Sequence, residues 1–483
     1  MRAVIAGGGL AGLAAALRLR AAGWDVTLCD NGAAPGGKMN RQREGGYQFD
    51  TGPTLLTMPH ILRKLYADLG ERLEDHLELR ALDPHAEYVY PDGFRLTVPA
   101  LLEEWLEVVR ALEPRDAEGV RRLHELGERI YRLSELTFFR HHPLSPLSPP
   151  PAAAIRHLPL RHGWGNYAKT VERFVKNPRL RQLYNRYPTY VGSSPYLCPA
   201  TLLVIPYIEH AFGAWSVAGG MYRIVESLDG LARARGVEAL TGSRVTAIEH
   251  ERGQVTGVRL QEGRRIRAQA VLFNGDASTL GALLGEDEIP PTNGRSLSGL
   301  VLLFGLRERI PGLRHHTVVF SADYRAEFEA LFRERIFPPD PTVYVNAPGD
   351  PTLAPAGGQA LFVMANAPAC STEQWSEQVI ADAKRRVLAR LQRAGMPDLE
   401  ARAAVSSVRH PGDFELRYLA PGGSIYGESS HGWRRAFLRP PNRSRRLRGL
   451  YCAGGSFHPG GGVPMVLLSA EIAVGLMQKD WGD

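Results

Sequence analysis

Cysteine is scarce: four residues in 483, Cys29, Cys198, Cys370 and Cys452, far apart and in no C-x-x-C pair. Such spacing excludes a disulfide framework, a structural zinc site and an iron–sulfur cluster, and it fits a reducing compartment. Long apolar runs are missing too. No uninterrupted run reaches the ~18 residues that a membrane-crossing helix needs, so any membrane contact is expected to be peripheral. The chain carries no zinc-finger or RNA-binding signature and no basic segment interleaved with aromatics. Its net charge of +7, with a dense arginine run at 434–448, reads as a solvated face or as attraction to an anionic surface. Nucleic acid is not an expected partner. No metal set is expected either: His315 and His316 are neighbours, would point to opposite sides of a strand, and have no carboxylate at ligand spacing. Both read as satisfied surface or core histidines. The strand pattern starts directly after Met1, and a cleaved leader would remove the glycine-rich opening, so a cytoplasmic location is expected.

What the chain does have is length for two or three domains and an ordinary globular composition, 44% hydrophobic and 23% charged. Its most informative stretch is the opening. Ala3 to Ala6 has strand character and leads into Gly7, Gly9 and Gly12, spaced G-x-G-x-x-G, with Leu10 and Ala11 turning into a helix that runs to about Ala22. In a βαβ unit the first glycine makes the tight turn, the second lets a pyrophosphate approach the backbone, and the third lets the helix pack on the sheet. Val26 to Cys29 reads as the second strand, and Asp30 closes it, 18 residues after Gly12. An acid there accepts hydrogen bonds from a ribose hydroxyl and repels a 2′-phosphate. The order strand, glycines, helix, strand, acid predicts an adenine dinucleotide site.

The next residues narrow the nucleotide. Gly36, Gly37 and Lys38 form a loop able to bring backbone N–H groups and a positive charge to an anion. Gly52-Pro53-Thr54 follows an alternating aromatic strand, Tyr47 to Asp50. On these motifs the sequence resembles the bacterial carotenoid (phytoene) desaturases, FAD enzymes within the amine-oxidase-like flavoproteins. The resemblance implies that the GGK and GPT residues wrap the cofactor, that Val245 brings a strand backbone beside the adenine, and that Asp30 replaces a more usual glutamate. It extends through YPTYVGSSP, PATL and GxWxxxGGM between residues 187 and 221, nearest to the branch that desaturates hydroxycarotenoids at the 3,4 bond. It ends at HPGGGVP, residues 458–464, with Gly454, Gly455, Gly462, Val463 and Met465 expected at the cofactor. Pro464 suits the first turn of the apolar helix that follows. Its free N–H groups and positive dipole end would stabilise charge on a reduced flavin.

The fold class expected is α/β: a Rossmann-like FAD-binding domain, discontinuous in sequence, with an α+β substrate domain holding an antiparallel sheet and a helical membrane-facing part. The pieces are 1–75, 219–288 and 421–483 for the FAD domain, and 76–218 and 289–420 for the substrate domain. Residues 101–136 read as helical. Between Leu136 and Pro159, prolines at 143, 146, 149, 150 and 151 forbid a regular helix. That segment reads as a linker, or as a membrane-dipping loop in which Leu136, Phe138, Phe139, Leu144 and Leu147 enter lipid while Arg140, His141 and His142 meet head groups. Tyr187, Tyr190, Tyr196, Tyr207, Phe212 and Trp215 are core residues or the lining of a long apolar cavity. The resemblance implies an FAD-dependent desaturase of a carotenoid or other long polyene, peripheral on the inner face of the cell membrane. Alternatives on the same fold are a flavin-dependent carotene isomerase and a non-catalytic prenyl-lipid chaperone. No general base is identifiable; His458 sits near the cofactor or merely caps a turn.

Overall fold

Strand Arg2–Ala6 forms the middle of a five-stranded parallel sheet, flanked by Ala270–Phe273 on one side and Asp25–Cys29 on the other. Leu450–Cys452 and Glu238–Leu240 form its edges, so one sheet collects strands from both ends of the chain. Helix Leu10–Ala21 buries nine of its residues, because the helices Arg223–Ala234 and Val463–Trp481 pack against it as well as the sheet. An alanine- and leucine-rich helix with no polar face is the sequence form of such full enclosure. The structure, a computed structural model, describes residues 1–143, 152–158, 163–286 and 293–482. Leu144, Leu147, the prolines at 146 and 149–151 and the expected boundary at 288/289 lie outside them.

A seven-stranded sheet forms the second layer. Its strands pair antiparallel throughout, except that His316–Val319 runs parallel to Ala86–Val89. Strand Ser298–Leu306 is buried at all nine positions, which explains its unbroken apolar run. A helical cap adds Leu102–Leu112, Asp116–Leu136, Tyr167–Phe174, Pro178–Arg186 and Val204–Phe212. The span 101–136, expected to be helical, forms two helices. Pro114 cannot donate into a helical ladder, and Glu113 is extended at φ −152°. Asp116 is the first residue of the second helix, and its carboxylate accepts the amides of Lys176 (2.7 Å) and Asn177 (2.6 Å), which ties the cap together.

In the second layer, Glu327 lies fully buried and accepts hydroxyl hydrogens from Ser321 (2.7 Å) and Thr342 (2.6 Å). Burial lifts its carboxyl from 4.5 to about 7, against those two hydrogen bonds. Across that window the folded chain holds a proton that the unfolded chain has released, so this group's stabilisation is complete below pH 4.5 and is lost as pH rises toward 7. Glu327→Gln removes the titration, and the denaturant midpoint of the variant is expected to fall less than that of the wild type across this range. Parallel pH profiles for the two proteins would contradict the assignment.

Candidate functional site

The glycine turn is built by close approach. A Cβ on Gly12 would stand 2.1 Å from the Gly7 carbonyl oxygen, so only glycine lets the first helix seat against the turn. Gly7 itself has φ +115° and donates its N–H to Cys29 C=O at 2.8 Å. Helix Leu10–Ala21 begins at Gly9 with no side-chain cap from that residue and no acid in its first turn, leaving the amides of Leu10 and Ala11 free for an anion. Asp30 accepts the amides of Gly8 (2.6 Å) and Gly32 (2.7 Å), which fixes its carboxylate at the end of the second strand. Burial raises its pKa while those two amide bonds oppose the rise. Its remaining lone pairs are available to a ribose hydroxyl.

The second loop folds directly onto the first: Gly36 N–H donates to Gly8 C=O at 2.8 Å, and a Cβ on Gly37 would lie 3.2 Å from Gly9 Cα. Gly52 is equally constrained, with its Cβ position 1.9 Å from the Lys38 carbonyl oxygen. Lys38 departs from the expected use. Its ammonium, half-buried and with its pKa lowered by burial, donates to the carbonyls of Ser424 (3.2 Å) and Ile425 (2.5 Å). It thereby clasps a distant loop rather than standing free for an anion. At the other end of the chain, helix Val463–Trp481 starts at Gly462 (φ +104°), again with no side-chain cap and no acid in its first turn.

One cavity of about 1220 Å³ joins these parts. Gly7, Gly9, Leu10, Ala11, Asp30, Gly36, Gly37, Lys38, Gly52, Pro53, Thr54, Val245, Gly454, Gly455, Gly462, Val463, Pro464 and Met465 all line it. Gly12 lies behind the lining, where it donates to Asn274 Oδ1 at 3.0 Å. Asn274 and Arg244 also line the cavity and were not among the expected site residues, although Asn274 follows directly on the strand that returns to the parallel sheet. Two uncapped helix starts, a fixed acid and a glycine-lined trough fit an FAD.

Beyond this cradle the same cavity becomes mainly apolar, with Ile130, Leu202, Ile205, Ile208, Val301 and Phe362 on its walls. The aromatic set expected here is mostly elsewhere. Of the six, Tyr190 alone lines the cavity; Tyr187 is core, Tyr196 packs on Phe328 at 5.9 Å, Tyr207 and Phe212 pack around Tyr131, and Trp215 donates to Phe212 C=O. The wall comes instead from the aliphatic neighbours of those rings on helix Val204–Phe212. Phe138 and Phe139, expected to enter lipid, line the cavity, and Phe138 packs edge-on against His458 at 4.5 Å. His142 bonds the Arg439 carbonyl at 2.8 Å rather than facing outward. His458 is buried beneath these rings, outside the lining. His316, expected to be an ordinary satisfied histidine, lines the cavity and has Nε2 without a hydrogen-bond partner.

Gly12→Val places three carbons where the helix start touches the turn. An overpacking cost of ~1–3 kcal/mol, taken from cofactor affinity, weakens FAD binding about tenfold or more. The purified variant should carry correspondingly less visible flavin absorbance per protein; full occupancy would remove the glycine turn from the site.

The model of the family of flavin containing amine oxidoreductases matches residues 10–477. A 1-hydroxycarotenoid 3,4-desaturase of Flavobacterium sp. (strain P99-3) is 35% identical over 485 residues, covering 99% of each chain. A hydroxyneurosporene desaturase of Rubrivivax gelatinosus is 34% identical, covering 98% of this chain and 92% of its own. The crystal structure of an oxidoreductase from Methanosarcina mazei superposes with a TM-score of 0.66 at 16% identity, covering 99% of this chain and 100% of that one, and so shares the fold. The cradle at both termini and these full-length likenesses agree: the chain belongs to the carotenoid desaturases among the flavin-containing amine oxidoreductases.

Proposed function

We propose that the protein is an FAD-dependent desaturase of a long acyclic carotenoid with a hydroxylated end, oxidising the 3,4 bond, and that it collects this substrate from the cytoplasmic face of a membrane. The observation that carries the reading is the continuity of one cavity from a dinucleotide cradle into an apolar arm. Desaturation removes a hydride and a proton from adjacent carbons and leaves one more conjugated double bond. Bound FAD would supply the two-electron acceptor. The chain's own contribution is placement and dryness: the apolar walls hold the polyene, and the loop Gly52-Pro53-Thr54 lines the same cavity with Thr54 bonded to Tyr344 of the sheet. No general base is assigned, since the loss of a proton next to a polyene cation needs none of unusual strength.

Three large apolar side chains support the membrane part. Trp164, Leu197 and Trp433 are 62%, 52% and 65% exposed. Their segments are joined by backbone bonds, Gly432 N–H to Leu197 C=O at 3.0 Å and Ala200 N–H to Gly165 C=O at 2.8 Å. Arg434 and Arg435 follow Trp433, and Phe437, at the end of the same short helix, lines the cavity. An apolar patch rimmed by arginine, on a segment that also supplies cavity lining, suits an anionic lipid surface. Among the described residues no helix is long and apolar enough to cross a membrane.

Incubation of the flavin-loaded enzyme with a 1-hydroxylated acyclic carotenoid should give a product lighter by two hydrogens with red-shifted absorption. An isomer of unchanged mass, a product that gains oxygen, or a protein that takes up no flavin would each replace this reading. Combined Trp164→Ala and Trp433→Ala should weaken binding to anionic vesicles, read by sedimentation, well over tenfold, since burying each such side chain stabilises by ~1.5–3 kcal/mol. Turnover in detergent should be retained. Unchanged vesicle binding would move the lipid contact elsewhere.

A further inference from the structure

Between the flavin-side loop and the seven-stranded sheet lies a group of polar side chains that a pure hydrocarbon has no use for. Thr54 Oγ1 and Tyr344 Oη are 2.7 Å apart, and Tyr344 Oη and His316 Nδ1 are again 2.7 Å apart. His316 lines the cavity and is 5% exposed, and its buried Nε2 has no hydrogen-bond partner. Beside this chain, Arg186 donates to Tyr190 Oη at 3.0 Å and lies over the Tyr344 ring at 5.7 Å from its centroid. Tyr190 donates in turn to Glu209 at 2.9 Å. A second imidazole on the same cavity, His85, is 2% exposed and has neither nitrogen paired.

Leaving a buried nitrogen unpaired costs about 1–3 kcal/mol, and the cost persists for as long as the cavity holds only hydrocarbon. Burial, reinforced by the nearby His315 and the Arg186 guanidinium, drives the His316 pKa well below its ordinary value, so the ring is neutral. A neutral imidazole has one donor and one acceptor nitrogen. With Nδ1 committed to Tyr344, the role left to Nε2 depends on the tautomer: it donates if Tyr344 donates to Nδ1, and accepts if Nδ1 carries the hydrogen. An alcohol satisfies either state, because its oxygen both donates and accepts. A ketone or aldehyde satisfies one, and a methyl group neither.

Resting on the carotenoid reading above, we propose that His316 Nε2 is the recognition point for the substrate's terminal hydroxyl, with Tyr344 and Thr54 as positioning residues that fix its ring. Thr54 belongs to the loop shared with the cofactor cradle, so a hydroxyl held here lies close to the redox centre. The oxidised bond is then one only a few bonds away from the alcohol carbon. A site built to pair a hydroxyl discriminates strongly against the analogue without it, because the protein's own polar atom is otherwise stranded.

The test uses the FAD-loaded full chain, titrated in detergent with an acyclic 1-hydroxycarotenoid and with the hydrocarbon of the same skeleton, binding being read from the flavin absorption spectrum. The wild type should prefer the alcohol by about tenfold or more, the equivalent of one stranded hydrogen-bonding group. His316→Leu should abolish that preference by weakening the alcohol far more than the hydrocarbon. Tyr344→Phe, which removes one oxygen and keeps the ring, should lower the preference several-fold and raise KM for the alcohol more than it lowers kcat. Equal binding of both compounds by the wild type overturns the proposal, as does a parallel loss for both in His316→Leu or an unaltered preference in Tyr344→Phe. A preference that His316→Leu removes while neither compound is oxidised keeps the hydroxyl subsite and rejects the desaturase reading instead.

Discussion

Everything at the cofactor end hangs on the crowding around Asn274. Its side-chain amide accepts the Gly12 N–H at 3.0 Å and donates to the Ala453 carbonyl at 2.7 Å, so it ties the first helix to the last strand. A Cβ on Gly9 would lie 2.8 Å from its Oδ1, one on Gly454 would lie 2.6 Å from its Nδ2, and one on Gly7 would lie 2.8 Å from its backbone oxygen. Four glycines from two ends of the chain therefore leave room for one asparagine from the middle. The amide can serve as a clamp because it offers a donor and an acceptor a few ångströms apart. A hydrophobic residue of the same volume would leave the Gly12 amide and the Ala453 carbonyl unpaired in a dry place.

That clamp makes the discontinuous domain behave as one piece. Strands from residues 2–6, 25–29, 238–240, 270–273 and 450–452 share a parallel sheet, and loops at several of their ends face one trough. Two helices from opposite ends of the chain open toward it with no acid in their first turns and no cap from Gly9 or Gly462, and Asn274 takes only the Gly12 amide of the first. A side-chain cap would satisfy those amides internally and weaken the attraction for an anionic ligand. Lys38 and Ser424 extend the same logic outward: the half-buried ammonium holds a loop from residues 424–425 against the cradle. Here a cation on the cavity wall fastens a distant loop to the cradle.

The cradle was legible because its determinants are local. Gly7, Gly9, Gly12 and Asp30 act over a span in which sequence spacing fixes geometry, and Pro464 marks a helix start by its missing N–H. The second half was legible only as composition. The block 187–221 does supply cavity wall, yet the rings of Tyr187, Tyr196, Tyr207, Phe212 and Trp215 turn into packing while Leu202, Ile205 and Ile208 face the space. Which side a residue takes on a short helix joined to 3-10 turns is decided by the neighbours it meets. The polar group was invisible for a stronger reason. Thr54, His85, Arg186, Glu209, His316 and Tyr344 come from separate elements, with no mutual spacing to detect. His316 differs from its neighbour His315 in facing the cavity and in the partner, Tyr344, that strand Val343–Asn346 brings to it.

A polyene poses a problem that apolar walls alone do not solve. Each buried CH₂ contributes about 0.8 kcal/mol, so a smooth oily channel binds such a molecule well. Because the chain repeats along its length, however, shifting it by one repeat changes little of that contact. Affinity from area therefore leaves the choice of bond nearly degenerate, and many registers would present some carbon pair to the cofactor. Breaking the degeneracy requires a feature that occurs once on the ligand, and a terminal oxygen is such a feature. For a single hydrogen bond to decide among registers it must be formed away from water, where its absence is costly. The burial that keeps His316 and His85 neutral meets that condition. The apolar arm thus provides the strength of binding, and the isolated imidazole provides its origin of coordinates. Neither would select a bond without the other.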